Sequence, residues 1–537
     1  MTTTAAASDQ PGQKAGRREW IGLGVLALAC LLYVMDLTVL HLAVPAISAD
    51  LQPTSAQLLW IIDIYGFLVA GSLITMGTLG DRIGRRRLLL IGAAAFGATS
   101  LLAAFSTSPE MLIVSRALLG IAGATIAPST LSLIFHMFND PHERRVAIGV
   151  WIGAFSAGSA VGPVLGGLML EFFWWGSVFL LALPVMGALL ILGPRVLPEY
   201  RDPDAGRLDL FSASMAVGAV LAVIYGLKEI AQHGGIQPIP VVAILAGLAV
   251  AAVFVRRQLS LDDPMIDVRL FRVGAFNAAL AVNFLSIFVM VGYFLFVAQY
   301  LQLVEGLSPL VAGLWSLPSA VAFVIGSQLT PRIVQRVRPG HLIGGGLAVG
   351  AIGLAMLSQV GTSGGLPILV AASVVISIGL APVFGLTTEL IVGSAPPERA
   401  GAATGISETG SELGGALGIA ILGSVGVAIY RGEVADRLPS SVPDEAAATA
   451  RDTLGSAIEV AGRLPDQIGE QVASAAREAF VAGMQVTSGV SAAIAVGLAL
   501  LAWLALRSQE SPPTQQSEGP ETDAPERRTL SDANAEA

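Results

Sequence analysis

Five acidic residues lie in stretches that are otherwise apolar: Asp36, Asp63, Glu389, Glu408 and Glu412. An ionised side chain at the centre of a bilayer costs about 2.5–3.5 kcal/mol on insertion scales, so such groups persist mainly for function. In these stretches one base, Arg116, stands against them. The acidic excess suits a cavity that holds protons and organic cations in turn. Glu408 and Glu412 are four residues apart and share one helix face. Two like charges so close resist being ionised together, though hydrogen bonding between helices would also explain the pair. Asp63 has Trp60 and Tyr65 beside it in sequence. Aromatic faces attract cations by about 0.5–2 kcal/mol each, and Trp60 equally fits an interfacial belt. Asp36 precedes Thr38 and also reads as a local hydrogen-bond acceptor. Glu389 falls near the end of its apolar run.

The elements that carry these residues are membrane spans. Of 537 residues, 54% are hydrophobic and 13% charged, with a mean hydropathy of +0.72. A soluble domain carries roughly 25% charged residues. A span needs about 20 apolar residues, and the pattern predicts fourteen: 20–47, 56–79, 87–106, 110–136, 145–170, 174–193, 209–228, 239–257, 275–303, 308–330, 341–359, 366–394, 402–429 and 481–506. Arginines gather in alternate loops, as in Arg82–Arg87, Arg144–Arg145 and Arg332–Arg338. Basic residues mark the cytoplasmic side, so both termini are expected there. Lys228 reads as the one base of a short outer loop. The net charge of −9 sits largely in segment 431–480 and in the tail. The single cysteine, Cys30, excludes a disulfide within the chain.

Two motifs point to a conformational machine. The loop after the second span reads Gly77-Thr-Leu-Gly-Asp81-Arg82-Ile-Gly84-Arg85-Arg86-Arg87. Topological anchoring would explain its arginines. It would not explain an acid and two glycines at this spacing. The fifth span carries Gly158-Ser-Ala-Val-Gly162-Pro163-Val-Leu-Gly166-Gly167, where proline removes a helix bond and small residues let helices approach. A packing seam alone is the plainer reading of that segment. The fourth span places Gly120 and Gly123 after Arg116.

On these residues the chain resembles the major facilitator superfamily. With fourteen spans, it is similar to the drug:proton antiporters of the fourteen-helix type, the QacA, SmvA and LfrA group. The resemblance covers about 20–506 and implies an all-α integral membrane fold, two six-helix bundles plus two inserted helices. It implies proton-coupled export of lipophilic cationic drugs, dyes and quaternary ammonium compounds by alternating access. Export of one natural antibiotic on the same fold is the alternative. It further implies that Asp36, Asp63, Glu408 and Glu412 carry substrate recognition and proton coupling. Glu389 is assigned with them, and Trp60 and Tyr65 become candidate substrate-facing aromatics. Asp81 with Arg85 is expected to latch one conformation.

The expected organisation is a disordered lead at 1–19, a first bundle at 20–193 and a linker with two inserted spans at 194–272. A second bundle follows at 273–506, with an external helical hairpin at 431–480 and a disordered tail at 507–537. No cofactor or metal is expected, the proton gradient being the energy source. The chain shows no GxxxxGK[ST] loop, no HExxH and no nucleophile elbow, so neither an ATPase nor an enzyme is expected. The expected partners are lipophilic cations, protons and the lipid bilayer of a bacterial inner membrane. Nucleic acid is not expected, and the chain is expected to act as a monomer.

Overall fold

The computed structural model describes residues 14–201, 209–233, 237–261, 264, 270–394, 400–439 and 441–506. The expected lead (to residue 13) and the tail from residue 507 lie outside them. Among the described residues, fourteen helices are long and apolar enough to cross a membrane. They are α1 (Arg17–Leu51), α2 (Ser55–Ile83), α3 (Arg85–Ala104), α4 (Pro109–Met137), α5 (Pro141–Phe172), α6 (Ser177–Val196) and α7 (Leu210–His233). Then come α8 (Pro238–Ser260), α9 (Gly274–Val304), α10 (Pro309–Ile333), α11 (Pro339–Leu357), α12 (Leu366–Gly393), α13 (Ala400–Arg437) and α14 (Asp466–Ala505).

Local chemistry sets several starts. Thr54 and Gln57 form a reciprocal capping box at α2. Ser108 and Ser308 accept backbone N–H bonds at α4 and α10, each followed by proline in the first turn. Within α4 the helix breaks between Gly123 and Ile126. Pro128 has no N–H to give the Ala124 carbonyl, which favours a break there.

The helices pack in two sets. In one, α1 lies on α5 and α6, α2 on α4, and α3 on α4 and α6. In the other, α9 packs on α12 and α13, α11 on α12 and α14, and α10 on α12. The sets meet along two seams, α2 with α13 and α5 with α10. Both seams are tight toward the end that carries segment 431–480. A Cβ on Gly167 of α5 would lie 2.5 Å from the Pro309 carbonyl oxygen of α10. One on Gly423 of α13 would lie 2.7 Å from Leu59 of α2. The opposite, arginine-rich end differs. Gly149 and Gly153 of α5 and Gly405 of α13 have nothing within 4 Å of a Cβ position. The close contacts between the two sets thus lie toward the end that carries segment 431–480.

The inserted helices α7 and α8 pack on each other, and α7 leans on both α2 and α13. Phe67 of α2, Ile224 of α7, and Ala416 and Ala420 of α13 form a small buried cluster there.

At the closed end α13 and α14 run past their apolar cores, with short helices at Asp444–Ala450 and Leu454–Ala461 between them. Tyr430 donates to the Ala450 carbonyl at 2.8 Å, and Arg431 pairs with Asp452 at 3.1 Å. Gly455 and Ser456 sit on Ser48 at the end of α1, and the Ser55 hydroxyl donates to the Asp452 carbonyl. Segment 431–480 therefore covers the ends of α1 and α2.

Candidate functional site

The membrane acids do not form one cluster. The structure distributes four of the five over three polar centres, each built across different helices.

The first joins α1 and α4. Arg116, fully buried, donates from Nη1 to Asp36 Oδ2 at 2.5 Å and from Nε to the Ile61 carbonyl of α2 at 3.3 Å. Its guanidinium lies 4.6 Å from the centre of the Tyr65 ring. A cation at this distance is attracted by the ring face. Gly120, one turn on, lets α4 approach α2, since a Cβ there would lie 2.5 Å from the Tyr65 carbonyl oxygen. Gly158, Gly162 and Gly166 of α5 face α1 at Leu31, Thr38 and Val39. The α5 motif thus brings α1 close along the turns that carry Asp36. Gly167 and Pro163 touch α10 instead, at Pro309 and Gly313.

The second centre spans the two sets. The Tyr33 hydroxyl of α1 donates to Glu412 Oε1 of α13 at 2.5 Å. Glu408 lies one turn from Glu412, is partly exposed, and makes no hydrogen bond among the described residues. Ser411 between them accepts from Asn283 Nδ2 at 2.9 Å, and Thr387 donates to Asn283 Oδ1 at 3.0 Å. Asn283 and Thr387 are both buried. This chain of polar groups links α13, α9 and α12. Sequence reading missed it, although Asn283 in the apolar run of α9 was the available signal.

The third centre corrects the sequence reading. Lys228 was expected in a short outer loop, with Arg116 as the one buried base. Instead α7 continues to His233, and Lys228 is fully buried against Asp63 of α2. Its Nζ lies 2.9 and 2.8 Å from the two carboxylate oxygens of Asp63 and 3.9 Å from the centre of the Trp60 ring. A cation does sit on Asp63 and Trp60, and it is the chain's own. Tyr65, expected beside Asp63, turns the other way to the Arg116 centre. Glu389 of α12 is exposed, apart from all three centres, and makes no hydrogen bond among the described residues.

At the arginine-rich end, Arg85 binds Asp81 through Nε at 2.7 Å and Nη2 at 2.6 Å, and reaches the Pro128 carbonyl at 3.3 Å. Gly84 has φ +109°, a region that L-residues with a Cβ rarely enter. It lets α2 end and α3 begin without a longer loop. A Cβ on Gly77 would lie 3.9 Å from Pro128, an ordinary contact distance. Glu199, which sequence reading did not single out, accepts from the Arg86 amide at 3.1 Å and pairs with its side chain at 3.4 Å. A carboxylate at the first turn of α3 is favoured by the helix dipole. Arg201 closes the strap by donating to the Arg82 carbonyl.

Residues 26–419 match the model of the Major Facilitator Superfamily. The chain belongs to that superfamily. It is therefore a membrane transporter and not an enzyme. It is 41% identical to the multidrug efflux pump LfrA of Mycolicibacterium smegmatis, over 91% of this chain and 97% of that one. It is 36% identical to the methyl viologen resistance protein SmvA of Salmonella typhimurium, over 82% and 89%. A tetracenomycin C resistance and export protein of Streptomyces glaucescens is 32% identical, over 90% and 91%. In fold the chain is similar to a bacterial homologue of the human lysosomal transporter Spinster, solved inward-facing and unoccupied. The TM-score is 0.66, with 18% identity, over 93% of this chain and 100% of that one.

Proposed function

We propose that this superfamily member exports lipophilic cationic compounds across a bacterial inner membrane in exchange for protons. The observation that carries the reading is the second centre. A carboxylate pair, Glu408 and Glu412, lies where the two helix sets meet, with Tyr33 of the opposite set bound to one member. A carboxylate in a medium of low dielectric must be neutralised, by a proton or by a cation. Occupancy by one disfavours the other, and that exclusion couples their movements. A multidrug efflux pump from Mycolicibacterium smegmatis and a methyl viologen resistance protein are similar over most of their length, which supports export of small organic compounds here.

The arginine-rich end is taken as cytoplasmic, because basic loops are retained inside. On this reading the arrangement is open to the cytoplasm, which the close contacts of both seams toward the far end support. Substrate enters between the arginine-rich ends of the two sets and reaches the partly exposed Glu408 first. Rocking of one set against the other carries the site outward, and external protons reset it. A second reading, a carrier for a single antibiotic, draws support from the similarity to the tetracenomycin C and puromycin resistance proteins of Streptomyces.

The test is ethidium efflux from cells expressing the chain, with and without a protonophore, beside a panel of unrelated cations. Efflux of several cations, stopped by the protonophore, supports the proposal. Export of one compound alone, or export that ignores the protonophore, rejects it.

A further inference from the structure

The export reading leaves one strongly built feature unused. Lys228 comes from α7, a helix outside the two six-helix sets, and is buried completely against α2. A lysine placed in hydrocarbon is costly. A simple anchor between two helices would be met more cheaply by apolar side chains of similar volume, because desolvating two charges often outweighs their attraction. The surroundings are also particular. The ammonium meets a carboxylate on one side and the face of an indole on the other. Carboxylate plus aromatic face is the chemistry that recognises a substituted ammonium or phosphonium ion.

We infer that Lys228 is a tethered competitor, holding Asp63 and Trp60 in the arrangement described here and yielding them to an exported cation later in the cycle. The inference rests on the export reading and adds a residue that sets affinity. Asp63 is fully enclosed in this arrangement, so an entering cation meets Glu408 and Glu412 first. Reaching Asp63 requires the Lys228 ammonium to leave. Apparent affinity at Asp63 is then reduced by the strength of the internal pair, as for any site whose competent state is a fraction of the whole. A carrier gains from that reduction, because a cation bound too tightly between a carboxylate and an indole would be released slowly.

The test is equilibrium binding of tetraphenylphosphonium to the purified full chain in detergent, with thermal melting as a fold control. The variants are Lys228→Gln, Lys228→Arg and the double variant Asp63→Asn/Lys228→Gln. Lys228→Gln should bind about tenfold tighter than wild type and turn over more slowly in liposomes. Lys228→Arg, which keeps the competing charge, should bind within about twofold of wild type. The double variant, with no charge left unpaired, serves where Lys228→Gln melts early, and it should lose the gain. Equal or weaker binding by a well-folded Lys228→Gln overturns the inference, and so does tighter binding that survives in the double variant. Were wild type itself to bind and transport no cation, the export reading would fail, and this inference with it. Wild-type binding without a gain in Lys228→Gln would overturn this inference alone.

Discussion

The Tyr33 hydroxyl on α1 and the Glu412 carboxylate on α13 are 2.5 Å apart, although 379 positions separate them in the chain. The contact ties the first helix set to the second at the level of the acids. A motion that parts the sets on this side must break it, and substrate or proton arriving at Glu412 competes with it. Tyr33→Phe keeps the ring that packs on Tyr65 and Phe155 and removes only the donor. A hydrogen bond to a charged group contributes about 1.5–3 kcal/mol. Ethidium efflux by Tyr33→Phe should fall about tenfold or more, with the melting temperature close to wild type. Unchanged efflux would separate this contact from transport.

Glu412→Gln and Glu408→Gln address the exclusion between proton and cation directly. Both keep side-chain volume and remove the ionisable group. In liposomes, cation export should no longer drive protons inward, as followed by an internal pH-sensitive dye. Residual downhill cation movement without proton flux is the expected signature for Glu412→Gln.

Breaking the Asp36–Arg116 pair should act on folding as well as transport. Removing one partner of a buried ion pair costs about 3–5 kcal/mol. Arg116→Ala should lower the melting temperature and the yield of folded protein sharply. Arg116→Lys should fold better than Arg116→Ala, yet lose the bond from Nε to the Ile61 carbonyl. Equal stability for Arg116→Ala and wild type would show that the pair is not needed for folding.

Gly84→Ala tests the turn between α2 and α3. The positive φ costs about 1–2 kcal/mol for a residue with Cβ. The added methyl would also meet the Glu199 carboxylate. A lower melting temperature is expected, together with slower efflux, since Asp81 and Arg85 flank the same turn. Gly77→Ala, in ordinary contact with Pro128, should be milder on both measures.

At the closed end, Gly167→Leu should prevent α5 from meeting α10 at Pro309. Spin labels placed on the outer ends of α5 and α10 should then report a longer mean separation than in the wild type, and efflux should cease. An unchanged distance distribution would mean that this seam does not hold the ends together.

Hydropathy made the fourteen spans legible because lipid demands an apolar run of fixed length, and the sequence has little else. The acids Asp36, Asp63, Glu408 and Glu412 stood out for the same reason. Their partners did not. Lys228 comes at the end of an apolar run already long enough to span, with Glu229 directly after it and His233 beyond, so it read as the start of a loop. Nothing local reveals that α7 continues and meets a carboxylate 165 positions away. Glu199 escaped notice likewise, because its role depends on where α6 ends relative to α3. Tyr65 shows the reverse error. Two positions from Asp63, it points to another face of α2, as residues at that spacing do.

The contacts of α7 differ in kind on its two sides. Toward α2 it is held by a buried charge pair and by Val217 seated at Gly71. Toward α13 it meets Ala416 and Ala420, with Leu413 and Leu417 packed beside them. In this arrangement α7 lies across the α2–α13 seam and touches both helices, so a helix that belongs to neither half stands as a fender over their joint.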